Sequence, residues 1–221
     1  MRRIKSIFIL FMLSLCLFTV SSCRKTEKKE ETLTDYMVLV NKQSKLPEDW
    51  ESRIELVDVY TSLDQTYKVE KKTAEAYEKL RQALYDEHII IALDSTYRTV
   101  TQQQEIWDEF LVEYGEEYTK TYVAVPGTSE HHTGLAVDVK VVKDGVIIDE
   151  NDDMTAEKEL FSKIHAKLAE FGFILRYPVG KEDITGYGAE VWHFRYIDSV
   201  EIAKEIMDKG ITLEEYLQTK Q

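Results

Sequence analysis

Two short stretches hold the side chains best suited to chemistry. Ser129 to Asp138 reads S-E-H-H-T-G-L-A-V-D and carries two of the five histidines. Glu190 to Tyr196 reads E-V-W-H-F-R-Y. His131 and Asp138 are separated by Gly134, and the Val-rich run after that glycine favours a turn entering a strand over a helix. In such a strand Gly134, Ala136 and Asp138 share one face, while Leu135, Val137 and Val139 share the other. Small residues beside the Asp138 carboxylate leave room for an ion that His131 reaches from the turn. Catalytic zinc takes three His, Asp or Glu ligands and keeps a position for water. His131, Asp138 and His193 would be such a set. Glu190 would then be free to accept a proton from the bound water. Spacing alone leaves the bland reading open, in which each His is a surface or core residue and Asp138 an edge feature.

These side chains need a scaffold. Glu190 and His193 fall on opposite faces of an ideal strand, so a bend or bulge near Val191 is required if both are to meet one metal. Ile89 to Leu93 reads as a buried strand, too β-branched and short for a helix. It delivers Asp94-Ser95-Thr96-Tyr97-Arg98-Thr99, followed by Gln103. An Arg just past a buried strand is well placed to act, and its fork of donors suits a carboxylate or an oxyanion. A structural salt bridge is the competing reading of Arg98.

The remaining pattern is regular. Glu70 to Glu87 places Ala74, Tyr77, Leu80 and Leu84 at helical spacing. Thr101 to Gln104 resembles a capping box opening a helix that Gly115 ends, with Ile106, Trp107, Phe110, Leu111 and Tyr114 as a core-facing stripe. Glu116 to Val125 reads as a loop or short strand, and Met37 to Asn41 as a short strand. Lys143-Asp144-Gly145 is a tight turn, with Val146 to Ile148 the returning strand of a hairpin. Asp149 to Asp153 lacks the spacing of a calcium loop and reads as a solvated acidic turn. Thr155 to Phe171 is a helix, with His165 structural, and Phe173 to Tyr177 is a strand. Ser199 opens a helix that runs to Lys209, and Thr212 to Glu215 caps a terminal one. This order gives an α+β fold, a small antiparallel sheet flanked by helices, with the zinc cleft on the sheet.

The paired stretches S-E-H-x-T-G-L-A-V-D-V and E-x-W-H-F-R-Y closely resemble the zinc D-alanyl-D-alanine carboxypeptidases of the VanY type, and the related peptidoglycan L,D-carboxypeptidases. The resemblance covers about residues 41–196. It implies that His131, Asp138 and His193 hold Zn2+ and that Glu190 is the catalytic base. The stretch around Arg98 is similar to the family's S-G-Y-R-S-x-x-x-Q element, with Thr96 for Gly and Thr99 for Ser. The resemblance implies that Arg98 polarises the scissile carbonyl, and that Gln103 and Ser129 hold the substrate's terminal residue. Tyr187, in the loop before Glu190, either lines the pocket or packs that loop. Val191 stands where the family often has Pro, and His132 where Gln is common. The implied substrate is a peptidoglycan stem peptide ending in D-alanine. The alternatives are an L,D-carboxypeptidase acting on tetrapeptide stems, and a non-catalytic wall-binding lipoprotein, which would need loss of a ligand or base.

The chain has 221 residues and a formal net charge of −13. That length allows one ordinary domain, and that charge argues against nucleic-acid binding, which needs a basic footprint. Arg2, Arg3 and Lys5 precede an apolar run from Ile7 to Val20, so residues 1–22 read as a lipoprotein signal peptide. Val20-Ser21-Ser22-Cys23 looks like a lipobox, with Cys23 the lipidated residue. Residues 23–36 read as a charged tether and 37–221 as a zinc carboxypeptidase domain. A monomer, anchored to the membrane on the extracytoplasmic side of a bacterial envelope, is expected. Cys16 falls within the leader, so the mature domain offers no thiolate ligand or nucleophile.

Overall fold

Alternation along one strand organises the molecule. In β4 (Ala136–Lys143), Val137, Val139 and Val141 are fully buried on one face. They join a core with Ala74, Tyr77, Leu80 and Leu84 of helix α1 (Lys71–Asp86) and Phe161, Ile164 and Leu168 of α5 (Lys158–Leu168). Burying each such aliphatic side chain stabilises the fold by about 1.5–3 kcal/mol. The opposite face of β4 carries Ala136 and Asp138, and there the sheet is left open to chemistry. The computed structural model describes residues 34–60 and 65–220.

The sheet is antiparallel throughout, in the order β3 (Ile90–Ser95), β4, β7 (Glu190–Tyr196), β6 (Phe173–Tyr177). A short β5 (Val146–Ile148) returns against the end of β4. Asp144 and Gly145 make the turn between them with φ of 53° and 80°, as two-residue hairpins require. Helix α7 (Val200–Lys209), capped by Ser199, and α8 (Leu213–Gln218), opened by a Thr212–Glu215 capping box, pack a second apolar cluster against Ile174 of β6. The architecture is the α+β sheet and flanking helices that the sequence implied.

Several elements differ from expectation. Met37 to Asn41 forms no strand; it is part of an irregular arm whose Tyr36 and Val38 carbonyls accept hydrogen bonds from the Arg195 guanidinium. A separate hairpin, β1 (Leu56–Tyr60) with β2 (Thr66–Glu70), packs by α1. Helix α2 (Val100–Tyr114) opens at a Thr99–Gln102 capping box, two residues before the expected one. Its apolar stripe is not core: Gln103 is its one buried residue, and Leu111 and Tyr114 are exposed. Instead Phe110 and Tyr114 stack in a row with Tyr118 and Tyr122 of α3 (Glu116–Tyr122), at ring separations of 5.2, 4.8 and 4.6 Å. That helix occupies a segment read as loop or strand. The acidic run opens α4 (Asn151–Ala156), with Asp152 and Asp153 in the first turn, where the helix dipole favours anions. The leader, Cys23 and the tether to residue 33 lie outside the described residues. Among the described residues no helix is long and apolar enough to cross a membrane.

Candidate metal centre

Strand register brings the distant histidine to the aspartate. Asp138 of β4 pairs directly with His193 of β7. Side chains of such a cross-strand pair emerge on one face, about 4.5–5.5 Å apart at Cβ. His131 comes from a single 3-10 turn, Glu130–Thr133, just before β4. Gly134 ends that turn at φ 72°, and a Cβ there would meet Leu56 Cδ2 at 3.1 Å. The left-handed φ calls for a glycine, and any Cβ would also have to push the Leu56 methyl aside.

The three side chains converge. His131 Nε2 lies 3.1 Å from Asp138 Oδ2, and His193 Nδ1 lies 2.8 Å from Asp138 Oδ1. One donor atom from each lies within 4.8 Å of the others, and all three residues are buried. Asp138 Oδ1 and His193 Nδ1 form an ion pair when the ring is protonated, but neither atom makes a well-formed hydrogen bond among the described residues. Two buried atoms that face a common point without a well-formed hydrogen bond keep capacity for a cation there. Zinc fits this donor set: two imidazoles and one carboxylate, with room for a further ligand.

The outer nitrogens fix which atom faces inward. His131 Nδ1 lies 2.8 Å from the Thr96 carbonyl, which only accepts, so Nδ1 carries the proton and Nε2 presents its lone pair. His193 Nε2 lies 3.2 Å from Glu130 Oε2, which leaves Nδ1 for the metal. The two imidazoles titrate in opposite directions without an ion. Burial dominates at His131 and lowers it to about 4. Burial also lowers His193, but the Asp138, Glu130 and Glu190 carboxylates outweigh it and raise it to about 10.

Glu190 stands at the mouth of this group, its Oε2 3.6 Å from His193 Nδ1. Burial chiefly, with the nearby Asp138 charge, raises its pKa to about 7 against the pull of His193. The irregularity that the Glu190–His193 pair demanded is present. Opposite β6, pairing skips from Leu175–Phe194 to Tyr177–Glu190, which gathers the extra residues at Val191 and Trp192. His165 of α5 supports it, its Nε2 2.7 Å from the Val191 carbonyl.

Arg98 approaches from the other side, its backbone N–H donating to the His131 carbonyl at 3.2 Å. Its guanidinium donates to Gln103 Oε1 at 2.9 Å and Ser95 Oγ at 2.8 Å. Gln103 in turn donates to the Ala124 carbonyl at 2.8 Å. Each end of that amide keeps capacity for one more bond. Ser129 is buried and caps the His131 turn, its Oγ accepting from the His131 N–H at 3.3 Å. Tyr187, just past the short helix α6 (Glu182–Thr185), is buried, and its hydroxyl, near the Thr128 side chain, makes no well-formed hydrogen bond among the described residues. Its ring packs on Tyr177, whose own ring lies 4.8 Å from that of His193. His132, next to a ligand, is held by backbone: Nδ1 donates to the Arg98 carbonyl at 2.6 Å and Nε2 accepts from Gly127 N–H at 3.1 Å.

One group carried no functional reading in the sequence. Glu130 is fully buried between two buried guanidiniums, 2.6 Å from Arg176 Nε and 2.8 Å from Arg195 Nη1. Burial would raise its carboxyl, but those cations hold it well below the usual range. The signal was available: Arg176 and Arg195 each interrupt an apolar strand, and a buried cation needs a carboxylate.

Comparison with known proteins agrees with this geometry. Residues 66–199 match the family model VanY, D-alanyl-D-alanine carboxypeptidase. A D-alanyl-D-alanine carboxypeptidase of Enterococcus faecalis (strain ATCC 700802 / V583) is 35% identical over 83% of this chain, which spans 66% of that relative's length. The crystal structure of a vancomycin-resistance D,D-pentapeptidase VanY from a VanB-type cassette, in complex with Zn(II), superposes with a TM-score of 0.67 at 33% identity, covering 82% of this chain and 98% of that one. The LdcB LD-carboxypeptidase superposes with a TM-score of 0.70 at 37% identity, covering 83% and 86%. The protein with this sequence is a member of the VanY D-alanyl-D-alanine carboxypeptidase family.

Proposed function

We propose that this chain is a zinc-dependent carboxypeptidase that removes the C-terminal D-alanine of peptidoglycan stem peptides. The observation that carries the reading is the convergence of His131, Asp138 and His193, two of whose buried donor atoms make no well-formed hydrogen bond among the described residues. These three residues would hold zinc, which when bound supplies a Lewis acid and an acidified water.

The other roles belong to the chain's own groups. Glu190 takes the proton of the attacking water and delivers it to the leaving amine. Its elevated pKa, about 7, suits a group that must both accept and donate near neutrality. Arg98 directs its fork at the developing oxyanion, steadied by Ser95 and Gln103. Ser129 and Gln103 hold the substrate's terminal residue. The Tyr187 hydroxyl, which makes no well-formed hydrogen bond among the described residues, offers the substrate a further polar contact. Cys23 is the lipidation site, and the enzyme works on the extracytoplasmic side, tethered as a monomer by residues 23–36 behind a cleaved 1–22 leader.

A second reading concerns specificity. The likeness to LdcB supports cleavage after an L-residue of a tetrapeptide stem. Mass spectrometry of tetra- and pentapeptide stems, incubated with zinc-loaded enzyme with and without chelator, separates the two. Terminal alanine leaving the pentapeptide alone supports D,D cleavage, and leaving the tetrapeptide alone supports L,D cleavage. Chelator-resistant release from either would remove the zinc mechanism, as would full activity in Glu190→Ala.

A further inference from the structure

We infer that Glu130 is the positioning residue for the metal ligand His193, and that helix α8 holds it in place through Glu214 and Arg176. The inference rests on the proposed zinc site. It adds a control over metal affinity from parts of the chain beyond residues 66–199, the segment that matches the family model.

The contacts form one buried chain. Glu130 Oε2 faces His193 Nε2 at 3.2 Å, and Oε1 accepts from Arg176 Nε at 2.6 Å and Arg195 Nη1 at 2.8 Å. Arg176 is gripped from behind by Glu214 of α8, Nη1 to Oε2 at 2.9 Å and Nη2 to Oε1 at 2.7 Å. Asn41 of the N-terminal arm donates to the same Glu214 at 3.1 Å. Arg195 is held by the Tyr36 and Val38 carbonyls at 2.9 and 2.8 Å. Both arginines are fully buried.

Chemistry makes the carboxylate hard to replace. A metal on His193 Nδ1 requires the remaining ring proton on Nε2, so the group opposite must accept. An arginine only donates. With Gln at position 130, the two guanidiniums claim the amide oxygen, and the amide N–H is left against the Nε2–H of His193. Donor then meets donor, and the ring can be relieved only by moving its proton to Nδ1, which blocks the metal. A carboxylate has acceptors for all three neighbours and avoids the conflict.

The test measures zinc, not turnover. Zinc affinity of the full chain is obtained by competition with a chromophoric chelator, and the Nε2 proton of His193 is followed by NMR in the zinc-loaded protein. Glu130→Gln is expected to weaken zinc binding about 10- to 100-fold and to shift or abolish that proton signal. Glu130→Asp keeps the anion between the arginines but withdraws the oxygen from Nε2; it should fold and still lose zinc affinity in the same direction. Glu214→Gln should weaken binding by a smaller factor. Leu84→Ala, a core truncation away from the network, should leave the affinity of the folded protein unchanged. Parent-like zinc affinity in folded Glu130→Gln and Glu130→Asp would overturn the inference, and so would an equal loss in Leu84→Ala. Parent-like affinity in Glu214→Gln would overturn the part assigned to α8. Failure of the parent enzyme to cleave any stem peptide would sink the proposed activity and leave these zinc measurements readable.

Discussion

His193 sits between two buried polar clusters of opposite design. On its Nε2 side, Glu130, Arg176, Arg195, Glu214 and Asn41 satisfy one another with short hydrogen bonds. On its Nδ1 side, Asp138 Oδ1 and Nδ1 itself make no well-formed hydrogen bond among the described residues. Burial is alike on both sides, so desolvation does not distinguish them. The difference is completeness. A closed cluster of buried charges fixes geometry, and removing one member leaves an uncompensated charge. An incomplete cluster keeps binding capacity that folding alone has not used. The metal is therefore expected to bind in the open cluster, while the closed one holds the fold and the orientation of His193.

Substitutions on the two sides should differ most in what they cost the metal-free protein. Asp138→Ala is expected to have the largest effect on activity, taking stem-peptide hydrolysis to background with zinc lost, while thermal unfolding of the metal-free protein loses less stability than on the closed side, only the ion pairs with His131 and His193 going. A drop in metal-free stability as large as on the closed side would contradict the division. Glu190→Gln should lower kcat by about 10²–10⁴-fold with zinc still bound at one equivalent, as expected for loss of a general base. Arg176→Met acts on the closed side: it strips Glu130 and Glu214 of a shared cation and should cost about 3–5 kcal/mol in urea unfolding. Stability within 1 kcal/mol of the parent (about a fivefold change in the folding constant) would show that the cluster is not closed in the sense used here.

Two pH measurements sharpen the same contrast. His193 stands near 10 without metal because its neighbouring carboxylates outweigh the cost of burial. Zinc must displace that proton, so binding at pH 7 should release roughly one to two protons per ion, read by calorimetry in buffers of differing ionisation enthalpy. Proton-neutral binding would argue against His193 as a ligand. The base form of Glu190 is populated above its pKa of about 7 in the metal-free protein. A bound cation favours the carboxylate, so kcat/KM should rise with pH along an acidic limb at or below that value. Activity flat from pH 5 to 8 would remove Glu190 from the role of base.

Much of the open cluster was legible in the sequence, because its parts are dense and local. His131 and Asp138 share one short stretch, and the alternation after Gly134 set which face each strand residue takes. Even the β7 irregularity followed from arithmetic, since Glu190 and His193 cannot share a face of a regular strand. The closed cluster was not read, because it joins five elements far apart in the chain, and a Glu next to a histidine looks like an ordinary surface charge. Elsewhere, local pattern misled. Met37 to Asn41 has strand-like residues, but Arg195 takes its neighbouring carbonyls before any strand can. The aromatic stripe of α2 has core-like spacing, yet it stacks along the surface with α3.

The direct opposition of Asp138 and His193 makes the two strands behave as a ruler with no tolerance. Because side chains alternate, one residue inserted between Ala136 and Asp138 would turn the carboxylate into the valine core and a valine toward the histidines. Length variation among relatives should therefore be confined to connections such as the Asp144–Gly145 turn, and chain-length engineering of this enzyme belongs there.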